Sequence, residues 1–215
     1  MAVVGIVPAA GSGERLGAPG PKAFVVCAGR PLIEWSLDVL AVACDRVVVA
    51  VPPGYEDGRD RVVGGRHRSE SVGAALRAAP EATVAVVHDA ARPLLTIELV
   101  ERCVAEVRAG WEGAVAAAPM TDTVKEAAPD GRVLRTLDRA TLWAIQTPQV
   151  FAADALRRAL DVPEAVLAAA TDDASLVEAA GGAVRVVEAP PENIKITWPG
   201  DLRAVESVLR ARAAV

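Results

Sequence analysis

The sequence predicts an α/β fold with a mostly parallel sheet flanked by helices, and two patterns carry that prediction. Short β-branched runs alternate with Ala- and Leu-rich stretches of helical length. Each β-branched run is apolar throughout, as strands covered on both faces are. Strands are expected at 3–7, 46–51, 83–88, 113–118 and 183–187, with helices at about 31–43, 71–79, 96–109, 152–160, 173–180 and 199–213. Thr96 stands just before a helix that carries Glu98 early, and Pro199 has the fixed φ that suits a first helical turn. One stretch breaks the alternation. From 121 to 143 the chain reads TDTVKEAAPDGRVLRTLDRATLW, with strand-like alternation around an Asp130-Gly131 turn. A β-hairpin of that size cannot bury a core of its own and packs on something else, often a second subunit. The expected organisation is one domain over 1–215 with a protruding β-arm at about 119–146.

The 215 residues are 52% hydrophobic and 24% charged, with 23 basic against 28 acidic side chains and a net charge of −5. A chain of this length fills one core. Its acidic balance argues against non-specific nucleic-acid binding driven by phosphate charge. Cys27, Cys44 and Cys103 stand far apart without a C-x-x-C pair, the usage of small buried hydrophobes in a reducing compartment. No basic segment opens the chain, Pro8 interrupts a short apolar run, and no apolar stretch reaches bilayer-spanning length. A cytoplasmic protein without nucleic-acid or membrane partners is expected. Of the basic residues 20 are arginine and three are lysine, Lys22, Lys125 and Lys195, while alanine is about a fifth of the chain. A coding bias explains the scarcity, and a lysine that survives it is a candidate for work that arginine does poorly.

Ligands of open parallel sheets bind beyond the carboxyl ends of the strands, so the residues following each strand come next. After the first strand the chain reads PAAGSGERLGAPGPK over 8–22. Its glycines let backbone N–H groups approach a phosphate, and Arg15 and Lys22 add positive charge. A dinucleotide fingerprint would need a helix from the second glycine, which Pro19-Gly20-Pro21 forbids. An NTPase phosphate loop would need Gly-Lys-Ser/Thr, whereas Pro21 precedes Lys22 and Ala23 follows it. What remains is a long Gly-rich loop with spaced cations, suited to wrapping a triphosphate.

After the third strand comes HDAARP over 88–93. Asp89, just off a strand end, suits a single-carboxylate anchor for magnesium bound mainly by substrate phosphates. Arg92 could take a phosphate through both arms of its guanidinium. The next helix begins some seven residues later, so Asp89 is not expected to cap it. His88 has no His or Cys at ligand spacing and reads as structural. In GGRHRSES over 64–71, Ser71 can act as a helix N-cap or contact a base, and the two roles are not exclusive. Thr171-Asp172-Asp173 opens a further helix, and NIKIT over 193–197 leads into the last one. Two of the three lysines thereby fall at the ligand end of the sheet.

These segments together resemble the 2-C-methyl-D-erythritol 4-phosphate cytidylyltransferases of the non-mevalonate isoprenoid pathway. The matching pieces are PAAGSGERL followed by PKAF, GG with R-x-x-S-V at 68–72, HDAARP, APMTDTVK, LDRATLW with QTPQ, TDDAS and NIKIT, in order across essentially the whole chain. The resemblance implies a GT-A-like nucleotidyltransferase fold whose β-arm makes a homodimer. It implies transfer of CMP from CTP to methylerythritol phosphate with magnesium, releasing pyrophosphate. Arg15 and Lys22 would stabilise the charge growing on the α-phosphate, and Asp89 would hold magnesium against the triphosphate. Ala9, Ala10, Gly11, Gly13, Gly64 and Ser71 would line the nucleotide pocket. Thr123, Arg139 and Thr171 would hold the sugar-alcohol phosphate, with Arg139 reaching in from the partner's arm. Arg92 and Lys195 belong to the same shell, Lys195 close to the reacting phosphates. Such chemistry needs in-line positioning and cations where charge builds up. The nucleophile is already an ionised phosphate, which agrees with the absence of a Ser/His/Asp set.

One segment departs from the family pattern. Residues 52–63 offer only PPGYEDGRDRVV where the family has a helix and a short strand, a shortening that bears on the pocket edge near Gly64. The chain ends soon after its final helix, so the cyclase domain that some members carry as a fusion is not expected. Two rival readings remain: a cytidylyltransferase for another polyol phosphate such as ribitol 5-phosphate, which HDAARP disfavours, and a nucleotide-binding module without catalysis, which would need neither Lys22 nor Lys195.

Overall fold

The computed structural model describes residues 1–13, 16–17, 20–58 and 60–213. In chain order its first half runs β1 (Val3–Pro8), β2 (Val26–Cys27), β3 (Arg30–Pro31), α1 (Leu32–Ala43), β4 (Arg46–Val51), β5 (Arg61–Val63), α2 (Arg68–Arg77), β6 (Val84–Val87) and α3 (Ile97–Arg108). There follow β7 (Gly113–Pro119), β8 (Lys125–Ala127), β9 (Val133–Thr136), β10 (Trp143–Ala152), α4 (Ala153–Leu160), α5 (Glu164–Ala169), α6 (Asp173–Ala179), β11 (Val184–Glu188) and α7 (Pro199–Ala213).

The central sheet has seven strands in the order β11-β7-β10-β6-β1-β4-β5. All run the same way except β10, which is antiparallel to both its neighbours. Successive side chains of a strand face opposite sides, and both sides are covered here. Val3 and Val7 of β1 share one buried cluster with Leu40 of α1 and Leu99 of α3, whereas Val4 and Ile6 share the other with Val72 of α2 and Leu156 of α4. Double coverage is why the strand runs are apolar without alternation. Chain order turns at β1: β4 lies on one side of it and β6 on the other. That reversal opens a crevice at the carboxyl ends of β1 and β6. A third apolar cluster joins Leu16, Cys27, Leu32, Leu94 and Ile196 to Val205 and Leu209 of α7, seating the final helix against the loops at this end.

Six elements differ from the sequence expectation, among them the two-residue strands β2 and β3, which pair in a small sheet of their own. β10 was not anticipated, because Gln146-Thr-Pro-Gln149 interrupts its apolar run and its pairing with β7 shifts register between Ile145 and Gln149. α2 begins at Arg68 instead of Ser71, since the Glu70 carboxylate accepts the His67 N–H at 3.0 Å and closes the first turn earlier. Ser71 is therefore not the N-cap. The 52–63 segment keeps a short strand, β5, parallel to β4, and α5 adds a turn-length helix where none was expected. The arm hairpin is present as β8 and β9, an exposed two-stranded sheet turning through Ala128–Arg132 with Gly131 at φ +85°. Residues 143–146 and 119 belong to the central sheet.

Candidate active site

The crevice at the carboxyl ends of β1 and β6 is a cavity of about 520 Å³. Its floor is the loop after β1. Gly13 has φ +72°, and a Cβ there would lie 2.5 Å from Lys22 Cβ. Only glycine allows this left-handed bend and close approach together. The Lys22 N–H donates to the Gly11 carbonyl at 3.3 Å, so the loop doubles back and brings Lys22 over the cavity. Ala9, Ala10, Gly11 and Gly13 line the near wall, offering backbone groups and no bulk.

Asp89 forms the opposite wall, one residue beyond the buried His88 at the end of β6. Its N–H donates to Thr147 Oγ1 at 3.0 Å. That hydroxyl also meets His88 Nδ1 at 3.2 Å, and His88 Nε2 meets the Arg92 carbonyl at 3.1 Å. One consistent assignment has the Thr147 hydroxyl donating to Nδ1 and the Nε2–H donating to the carbonyl. Burial pushes the imidazole pKa down to about 4, so the ring stays neutral and structural as the sequence suggested. The carboxylate itself is held by two cations: Lys195 Nζ donates to Oδ2 at 2.6 Å, and Arg68 Nε donates to Oδ1 at 3.1 Å. Burial opposes ionisation of Asp89, but Arg68, Lys195 and Arg92 outweigh it and hold the carboxyl well below its usual range. Lys195 reaches this place because the Ile196 N–H donates to the Ala91 carbonyl at 2.8 Å, stitching the segment before α7 onto the β6 loop.

Four cations, Lys22, Arg66, Arg68 and Lys195, line the cavity among the described residues, against the single carboxylate of Asp89. Fixed positive charge in a partly desolvated cleft is a receptor for a polyanion. Ser71 also lines it; its Oγ accepts the Gly65 N–H at 3.1 Å and donates to the His67 carbonyl at 3.2 Å, fixing the turn ahead of α2.

Not every predicted site residue arrives here. Arg15 lies outside the described residues. Gly64 sits behind the wall, where a Cβ would come within 2.6 Å of Ala10 Cβ and 2.8 Å of Ser71 Oγ, so its role is close packing of the two loops. Arg92 is buried and donates to the Asn193 carbonyl at 2.7 Å, beneath the cavity surface. Thr171 is exposed just ahead of Asp172, which caps α6 by accepting the Ser175 N–H at 2.9 Å. Thr123 and Arg139 lie on the arm; Arg139 donates to the Thr121 carbonyl at 2.5 Å, and neither lines the cavity of its own chain.

Sequence reasoning missed three participants. Arg68 appeared only as part of a motif, Asp173 only as a helix opener, and Thr147 only inside QTPQ. Arg68 donates from Nη1 to Asp173 Oδ2, so one guanidinium joins two carboxylates 84 residues apart in the chain (89 and 173). Its charge is stabilised by both: burial opposes it, but Asp173 and Asp89 push its pKa up.

Comparison with known proteins gives one family. The sequence profile described as 2-C-methyl-D-erythritol 4-phosphate cytidylyltransferase matches residues 3–211. A protein of that name from Nocardia farcinica is 46% identical over 227 residues, covering 99% of this chain and 96% of its own length. Another from Symbiobacterium thermophilum is 40% identical, covering 97% and 93%. The crystal structure of the Thermus thermophilus cytidylyltransferase superposes with a TM-score of 0.81 at 36% identity, covering 98% of this chain and all of that one.

Proposed function

The chain belongs to the 2-C-methyl-D-erythritol 4-phosphate cytidylyltransferase family, and from that premise we propose how its own residues carry out the reaction. The enzyme is a nucleotidyltransferase of isoprenoid biosynthesis that transfers the cytidylyl group of CTP to 2-C-methyl-D-erythritol 4-phosphate. An oxygen of the acceptor's phosphate attacks the α-phosphorus in line. The bond from that phosphorus to the bridging oxygen breaks, and pyrophosphate leaves with the electron pair. No proton has to be removed from the nucleophile, so the protein's work is positioning and charge stabilisation.

The arrangement that carries this reading is the ionised, strand-end Asp89 facing an otherwise cationic, glycine-walled cavity. The triphosphate lies along the loop after β1, against its backbone N–H groups and Lys22, with Arg15 on the same loop. Lys195 and Lys22 stabilise the negative charge that accumulates at the α-phosphate. The base and ribose sit against Ala9, Ala10, Gly11 and Ser71.

Asp89 fits a magnesium ion held mainly by phosphates. It is the one carboxylate lining the cavity among the described residues, and these contain no cluster of three His, Cys, Asp or Glu side chains that would make a protein-only cage. Bound there, magnesium would neutralise triphosphate charge and activate the α-phosphorus. Buried against the Asn193 carbonyl, Arg92 supports the acceptor side from beneath, and the acceptor's phosphate itself is assigned to Thr171, Thr123 and Arg139. The last two come from the arm of a second subunit, so the enzyme works as a homodimer. Val133, Leu134, Trp143 and Ile145, exposed along the arm and its root, supply apolar surface for that contact. No described helix is long and apolar enough to cross a membrane, and a cytoplasmic reaction suits its nucleotide substrate.

The test is pyrophosphate release with CTP and magnesium, offering methylerythritol phosphate or ribitol 5-phosphate. Faster turnover with the ribitol ester would overturn the acceptor assignment, and no turnover with either would overturn the reaction.

A further inference from the structure

Arg68 divides its guanidinium between two carboxylates. Nε goes to Asp89 Oδ1 at the cavity wall, and Nη1 goes to Asp173 Oδ2 in the interior. Asp173 is the first residue of α6 and is fully buried. Its other oxygen, Oδ1, has no hydrogen-bond partner. A carboxylate buried this way is costly, and nothing in the phosphate-binding wall requires it, since Asp173 does not line the cavity.

Its geometry accounts for it. A guanidinium beside a carboxylate tends to close on it with two parallel N–H groups, the strongest pairing available to either. Asp89 already accepts from Lys195 at Oδ2. With Lys195 in place, a bidentate Arg68 would occupy about three of the four lone-pair sites of the carboxylate and crowd the oxygens that a cation would need.

We propose that Asp173 is a positioning residue that draws one arm of Arg68 into the interior, so that Asp89 keeps an oxygen lone pair and net charge for the metal of magnesium·CTP. The proposal rests on the reading of Asp89 as the metal anchor. It makes Arg68 a strut rather than a phosphate ligand: one end orients the Asp89 carboxylate, and the other is fixed in the protein. Lys195, half exposed and tied to one partner, is the cation of the pair that can move onto phosphate.

Calorimetric titration of the wild type, Asp173→Asn and Asp89→Asn with magnesium·CTP, without acceptor so that nothing turns over, tests it. Asp173→Asn should weaken magnesium·CTP binding at least fivefold while metal-free CTP, titrated in chelator, binds within twofold of wild type. A purely structural role would lower the unfolding temperature without separating the two affinities. Wild-type magnesium·CTP affinity in Asp173→Asn, when Asp89→Asn weakens it, overturns the positioning role. Unchanged affinity in Asp89→Asn overturns the metal-anchor reading and the positioning role with it. Should Asp173→Asn not fold, Arg68→Lys serves instead: an ammonium cannot close on Asp89 with two parallel N–H groups, so magnesium·CTP should bind within twofold of wild type, and a selective loss of at least fivefold overturns the proposal.

Discussion

The Lys195 ammonium lies 2.6 Å from Asp89 Oδ2, joining two residues 106 positions apart in sequence at the mouth of one cavity. The pair explains why a lysine survives at this place in so lysine-poor a chain. A single-point cation on a flexible stem can exchange a carboxylate for a phosphate, whereas a guanidinium fixed by two partners, as Arg68 is, cannot do so as readily.

Lys195→Ala and Lys22→Ala should therefore each lower kcat by about 100- to 1,000-fold, the ~3–4 kcal/mol typical of one lost transition-state charge contact. Circular dichroism and unfolding temperature should stay near wild type, because Lys195 is half exposed. Near-normal turnover in both variants would overturn the catalytic roles assigned to the two lysines. Lys125 is different. Its Nζ donates to Thr136 Oγ1 at 2.6 Å across β8 and β9, so it braces the hairpin, and Lys125→Ala should leave the chemistry of the cavity intact.

Much of this site was legible because the fold puts ligands at strand ends. The apolar runs of β1 and β6 locate the Gly-rich loop and Asp89 without any structure. Other parts were not legible, for a common reason. β10 hides because Thr147 and Gln149 are buried polar residues within a strand, placed to meet Asp89 and Asp172 instead of extending an apolar pattern. The Arg68–Asp173 pair spans 105 residues, and neither partner's local sequence signals the other. Ser71 shows a smaller failure: a serine near a helix start reads as a cap, but Glu70 closes the turn first.

Two nearby glycine positions separate conformational from steric demand. Gly13→Ala meets both a positive φ and Lys22 Cβ at 2.5 Å. It should cost at least ~1–2 kcal/mol and displace Lys22, since non-glycine residues pay about 1 kcal/mol or more for the left-handed region alone. Gly11→Ala meets nothing within 4 Å and has no positive φ, so its stability should match wild type within about 0.5 kcal/mol. Urea unfolding of the two variants side by side checks the contrast, and equal stability would refute the account of the loop.

The cysteines give a pH-linked test of the core. Burial pushes the Cys44 and Cys103 thiols up to about 12 and Cys27 to about 11. A raised pKa keeps each thiol protonated at pH 8, and the thiolate is the reactive form. Alkylation by iodoacetamide at pH 8 should be slower by at least ~100-fold in the native protein than in urea, where ordinary pKa values return. Fast native labelling of Cys103 would contradict its burial against the sheet.

The arm offers a test that no single-subunit reading can pass. Arg139 and Thr123 lie away from the cavity of their own chain, while Asp89 and Lys195 lie within it. If the acceptor's phosphate is gripped by the partner's arm, Arg139→Ala should raise KM for the acceptor at least tenfold, with CTP binding unchanged. Asp89→Ala should abolish turnover with its arm intact. Mixed after unfolding and refolding together, the two variants form some heterodimers in which one site has a wild-type Asp89 and receives a wild-type Arg139. Random pairing makes half of the dimers mixed, and each of those carries one intact site. Activity should therefore return to about a quarter of wild type per total site. A mixture no more active than the sum of the separate variants would place both residues in service of the same chain's site and remove the arm from the reaction.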